Sequence, residues 1–214
     1  MDVGYSARSP PAISPFSNLD PLPRMRDNTL NMQDNNGRTP LHRAVIEGSV
    51  KKVGRCLSSG AAINISDSRG DQALHLAAAG ASPEIVRLLL EHGADVEVKG
   101  QGGKTPLHMC LRSPKTLKML LKWHPIISSQ DRNGDTSLHL AVALSAFSNP
   151  PRGSAIGMLI QSGANVNALN HRRITPFHMA LEMPRLAGKH SGSWIALFLE
   201  NGADLLLPAD DGRL

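Results

Sequence analysis

The sequence predicts an all-α repeat solenoid, a stack of helix-turn-helix units linked by β-hairpin-like turns. Three observations carry this. A histidine recurs in five near-copies of one short motif, at His42, His75, His108, His139 and His178, with intervals of 33, 33, 31 and 39 residues. A second marker follows four of the copies: "SGAAIN" at 59–64, "HGADVE" at 92–97, "SGANVN" at 162–167 and "NGADLL" at 201–206. Between the markers, apolar residues recur at helical spacing, as Ile85, Val86, Leu88 and Leu89 do in "PEIVRLLLEHG". No single unit can bury such a face alone, so the units must stack on one another.

Each element of a unit has a local cause. Turn-forming pentapeptides open the copies: "DNNGR", "DSRGD", "GQGGK", "DRNGD" and "NHRRI". In "GRTPLHRA" (37–44), Thr39 can cap a helix through its hydroxyl, and Pro40 fits the first helical position, where its missing N–H costs nothing. His42 then falls in the first turn, where its ring can reach back to the threonine or across to the backbone of a neighbouring unit. Ala44, Ala77 and Ala141 are small enough for the second helix to approach closely. Gly93 supplies a left-handed cap after that helix. One histidine per unit forms a row, whereas a metal ion needs ligands converging within about 2 Å. His42, His75, His108, His139 and His178 are therefore expected to be structural.

On these motifs the chain resembles an ankyrin-repeat protein over residues 28–214, with the T-P-L-H pattern present in five copies. The expected units are approximately 34–66, 67–99, 100–130, 131–168 and 169–208, with "ADDGRL" at 209–214 reading as the start of a sixth. Residues 1–27, with five prolines and little apolar periodicity, read as a disordered Pro/Ser-rich tail.

The copies differ in informative ways. The first has Arg43 and "VKKVGRCLSS" where apolar residues are usual, which predicts a weaker, partly polar end unit. The third is two residues short between its helices, and "WHPIISSQ" replaces the second marker. With no glycine cap and with Pro125 present, its second helix is expected to end differently. The fourth and fifth each carry about six extra residues between their helices, within 143–154 and 182–193. Insertions in such arrays gather on one face, often the binding face. Neighbouring insertions would make one lobe carrying Phe147, Arg152, Arg185, Lys189 and His190.

Basic residues also recur at the turn tips: Arg38, Arg69, Lys104, Arg132, Arg172 and Arg173. The resemblance implies that these tips and the short first helices form the concave recognition surface. Asp34, Asp71 and Asp135 alternate with them, so a mixed surface is expected. Lys115, Lys118 and Lys122 form a stripe on one helical face, expected to be the solvated outer one. Cys56 and Cys110 read as small core residues.

Composition narrows the function. A net charge of +5 favours acidic partners slightly, and aromatics at 3% argue against a series of base-stacking platforms. Two cysteines outside any zinc-like spacing fit a reduced, intracellular chain, cytoplasmic or nuclear. The longest apolar runs are too short to span a membrane. Nothing resembles a nucleophile elbow, a Walker loop, a dinucleotide fingerprint or an HExxH helix. No catalytic residue, metal, cofactor or small-molecule substrate is expected, and no direct nucleic-acid contact. The leading expectation is a non-enzymatic adaptor or scaffold that binds a protein partner, acidic or itself a transcription factor. A co-regulator acting through a DNA-binding partner is the second reading. A regulatory fragment of a larger ankyrin-containing protein is the third.

Overall fold

The computed structural model describes residues 29–80, 82–146, 153–182 and 191–206. Within them the chain runs through helix pairs: α1 (Pro40–Ile46) with α2 (Val50–Ser58), α3 (Ala73–Ala79) with α4 (Pro83–Glu91), and α5 (Pro106–Met109) with α6 (Pro114–Leu121). α7 (Ser137–Ala146) with α8 (Gly153–Gln161) and α9 (Pro176–Leu181) with α10 (Ser191–Glu200) follow. The first helices stack as one layer, α1 on α3, α3 on α5, α5 on α7 and α7 on α9. The second helices α2, α4, α6 and α8 stack as another. Extended pairing among the described residues is confined to two isolated bridges, Ser66 with Gln72 and Gln130 with Thr136. The fold is the all-α repeat stack that the periodicity predicts.

The core lies between the two layers and runs the length of the stack. Leu41, Leu74, Leu107, Leu138 and Phe177, each one residue before a motif histidine, are all buried. Ala44, Ala77, Cys110 and Ala141 line up two residues after it and are buried too. Burial pushes the Cys110 thiol up to about 12, so this cysteine is a packing residue.

The departures have visible physical consequences. In the first pair, Arg43 stands where the other units have Leu76, Met109, Leu140 and Met179 and bonds Asp34 at 2.9 Å, and Lys52 stands where α4 has buried Ile85 and bonds Glu47 at 2.6 Å. This is the partly polar end unit expected, although the turn at 29–31 docks on it with Leu30 buried. In the third pair, the missing residues force α5 to finish as a 3-10 turn, Cys110–Arg112, because Ser113 must already cap α6.

The end of α6 keeps the usual turn, contrary in part to the expectation. After the other second helices Gly60, Gly93, Gly163 and Gly202 take positive φ, and His124 takes the same place at φ 49°. The real difference is one lost hydrogen bond. Ala61, Ala94, Ala164 and Ala203 each donate a backbone N–H back into the helix, to Cys56, Leu89, Leu159 and Phe198. Pro125 stands in that position and has no N–H to give.

Candidate partner-binding face

The turn tips are built around one inward-pointing side chain. Asp34 Oδ1 accepts from the Asn36 and Arg38 amides, and Asp67 Oδ1 from those of Arg69 and Asp71. Asp131 Oδ1 takes the Asn133 and Asp135 amides, and Asn170 Oδ1 those of Arg172 and Ile174. The third tip has Gly100 in this place, and there Asp71 Oδ1 of the preceding tip accepts from Gln101 N–H at 2.9 Å. Backbone bonds string the tips together: Ser68 N–H to Asn36 O, Arg132 N–H to Gly102 O and His171 N–H to Asn133 O. Gly134 is required on two counts, a φ of 76° and the His171 amide only 2.6 Å from where a Cβ would stand.

This architecture sorts the charges. Asp67, Asp71, Asp131 and Asp135 are all buried, their carboxylates spent on amides and neighbouring tips. Arg69, Arg132, Arg172 and Arg173 are exposed, and Arg38 and Lys104 are half-buried. The expected mixed surface is therefore corrected at Asp71 and Asp135, which lie behind the cations, while half-buried Asp34 stays beside Arg43. Arg38 is the most committed of these, its Nε lying 3.7 Å from Asp67 Oδ2 of the next tip. Asp34 is held below the usual carboxylate range, first by the Arg38 amide and then by the Arg43 guanidinium.

Two neighbouring features escaped the sequence reading. His171 adds an exposed ring at the fifth tip. One turn after the motif histidines, Ile46, Ala79, Arg112 and Glu182 are exposed where the first helices end. A count of four residues from each histidine would have found this row. Phe147, Arg152, Arg185, Lys189 and His190 lie outside the described residues, as do the tail at 1–27 and the expected sixth tip at 209–214.

Apart from His42 Nε2, the ring nitrogens of the histidine row are engaged within the stack. Nδ1 of His42, His75, His108 and His139 accepts the backbone N–H of the residue three before it, Thr39, Gln72, Thr105 and Thr136. That places the ring proton on Nε2, which points to the following unit. His75 donates to the carbonyls of Lys104 and Val98, His108 to Asp135 and His139 to Ile174. His178 Nδ1 meets Thr175 Oγ1 at 2.8 Å, and its Nε2 lies 3.3 Å from Leu205 O. His42 faces the corresponding carbonyls of Asp71 and Ile65, but its Nε2 completes no hydrogen bond. Burial lowers the pKa of His42, His75, His108 and His139, so their rings are neutral clamps.

Among the described residues, no group of three or more His, Cys, Asp or Glu converges as a metal site would require, and no helix is long and apolar enough to cross a membrane. The face offers cationic tips beside a row of mixed helix ends, a surface suited to recognition. No curated protein matches the chain. The family model for ankyrin repeats matches residues 19–100 as three copies, and the single-repeat model matches residues 133–171. Such repeats are, as a class, non-catalytic protein-protein interaction modules. With five histidine-clamped helix pairs and family matches over more than half its length, the chain belongs to the ankyrin-repeat family.

Proposed function

We propose that the chain is a non-enzymatic adaptor whose tips and first-helix ends receive an acidic segment of a protein partner. The observation that carries this is the sorting of charge: the carboxylates of Asp67, Asp71, Asp131 and Asp135 are buried and hydrogen-bonded among the tips, while Arg69, Arg132 and Arg172 face solvent. A partner carboxylate arriving there meets guanidinium groups first, and Arg is well suited to bidentate carboxylate recognition. We extend the proposal to the inserted segments, which in the sequence fall between α7 and α8 and between α9 and α10 and carry Phe147, Arg152, Arg185, Lys189 and His190. A transcription co-regulator is a special case of the same chemistry, since acidic segments with interspersed apolar residues are typical of activation domains.

Reversing Arg69, Arg132 and Arg172 to Glu tests the reading. Partners captured from cells by the wild-type chain should be lost, with helical content by circular dichroism unchanged. Titration of a partner so identified should weaken as salt rises. Salt-independent binding that survives the triple reversal would overturn the proposal. Enrichment in the nucleus together with a captured DNA-binding protein would favour the co-regulator form.

A further inference from the structure

The repeats serve as controls for one another, and the third departs from the rest on its outer side. Counting from the left-handed residue His124, Trp123 stands where the other units have Ser59, His92, Ser162 and Asn201. Ile126 stands where they have Ala62, Asp95, Asn165 and Asp204. Three of those polar residues close a local turn, since Asp95, Asn165 and Asp204 accept the amides of Glu97, Asn167 and Leu206. Ile126, like Ala62, cannot do this, while its own N–H is taken by Glu97 of the preceding unit just as the Ala62 and Asp204 amides are taken by Asn31 and Asn167. Trp123 is 39% exposed and Ile126 57%, so neither substitution is explained by the core.

The charges of α6 depart in the same way. On α4, Arg87 and Glu91 form an ion pair one turn apart at 2.8 Å. The equivalent residues on α6 are Lys118 and Lys122, both exposed. Like charges at this spacing destabilise a helix. Lys115 extends the same face. On α8, which packs on α6, the residue equivalent to Lys118 is Gly157, where a Cβ would meet nothing within 4 Å. Helix stability and turn chemistry are both given up here, and what they yield is a cationic stripe ending in two exposed apolar side chains.

We propose that the outer face of the third unit is a second docking surface, separate from the tips, for an acidic peptide segment that carries a bulky apolar side chain. Lys118 and Lys122 would meet its carboxylates, and Trp123 with Ile126 its apolar residue. A narrow ligand is favoured over a bilayer, because exposed Glu84 and Glu91 on α4 would press against an anionic membrane. The chain would then hold two partners at once, one on each side of the stack.

The test selects phage-displayed random peptides on the full chain, with counter-selection on the K118E/K122E variant. The expected peptides combine Asp or Glu with Leu, Phe or Trp. By fluorescence anisotropy their synthetic forms should lose about tenfold or more in affinity on Trp123→Ser, on Ile126→Asp and on Lys118→Glu. Lys118→Glu alone recreates an ion pair with Lys122, so it should raise the melting temperature slightly while binding falls. A merely structural role would not split the two readouts. Selected peptides without acidic residues, or with affinity unchanged by these variants, would overturn the proposal. Loss on Arg69→Glu/Arg132→Glu, with Lys118→Glu silent, would overturn it while leaving the tip surface standing. Capture of phosphatidylserine vesicles through Lys118 and Lys122, with no acidic peptide selected, would also overturn it.

Discussion

His139 Nε2 in the fourth unit lies 3.0 Å from the Ile174 carbonyl in the fifth, while its Nδ1 accepts the Thr136 amide at 3.1 Å. One ring thus closes a helix start and fastens the next unit. His139→Ala leaves the buried Thr136 amide without an acceptor and removes the bond to the Ile174 carbonyl, which keeps only the Asn170 N–H, and should cost roughly 2 kcal/mol, read by urea unfolding. His42→Ala should cost distinctly less, because the His42 Nε2 has no partner to lose. Equal costs for the two would show that the bond between units contributes nothing.

Stability should also depend on pH through these rings. Burial lowers the folded-state pKa of His42, His75, His108 and His139 below the ordinary 6.5. Above that value the rings are neutral in both states and there is no linkage. As pH falls below it, the unfolded chain takes up protons that the folded chain refuses, so stability declines until the folded pKa values are reached. Protonation of Nδ1 would also set it against the amide it accepts. The melting temperature should therefore drop from neutral pH into the mildly acidic range, and the drop should be smaller in His75→Ala/His139→Ala. A flat profile would contradict the neutral clamp.

Gly100 makes a steric prediction. Its φ is −103°, open to any residue, yet an added Cβ would collide with Asp71 Oδ1 and stand 2.9 Å from His75 Nε2. Gly100→Ala should destabilise by about 1–3 kcal/mol. Gly100→Asp, which copies Asp34, Asp67 and Asp131, should be no better. Thermal unfolding of both variants checks this, and a stabilised Gly100→Asp would refute the packing described.

His124→Gly should have the opposite sign. A left-handed non-glycine residue is unfavourable, so glycine should stabilise by up to about 1 kcal/mol, less the entropy it adds to the unfolded chain. Denaturant midpoints of the two proteins decide it. Destabilisation would mean that the His124 side chain makes a contact outweighing its backbone.

Features carried by single residues in register were legible in the sequence. Thr39 as a cap, His42 reaching back to it, Leu41 and Ala44 in the core and the polar first pair all follow from local spacing. The direction of the tip carboxylates was not legible. Asp71 and Asp135 look like surface acids in a turn, and only the neighbouring tip, supplying Gln101 N–H to one and Asn170 to the other, draws them inside. The end of α6 was half legible: the missing glycine is visible, but the turn persists because His124 accepts the left-handed conformation that stacking asks of it.

The Nε2 donors of His75, His108 and His139 all point the same way along the chain, from one unit to a carbonyl in the next. Such a stack has a chronology as well as a geometry. While the chain leaves the ribosome amino end first, each newly formed pair holds a ring N–H whose acceptor has yet to be synthesised. It is met only when the following turn arrives, about 30 residues and a few seconds later at ordinary elongation rates. A stalled or truncated product therefore exposes an unmet donor at its growing edge, beside the apolar residues that await the same neighbour. Quality-control machinery that reads exposed apolar surface has, at each such edge, a mark of incompleteness that the next turn erases.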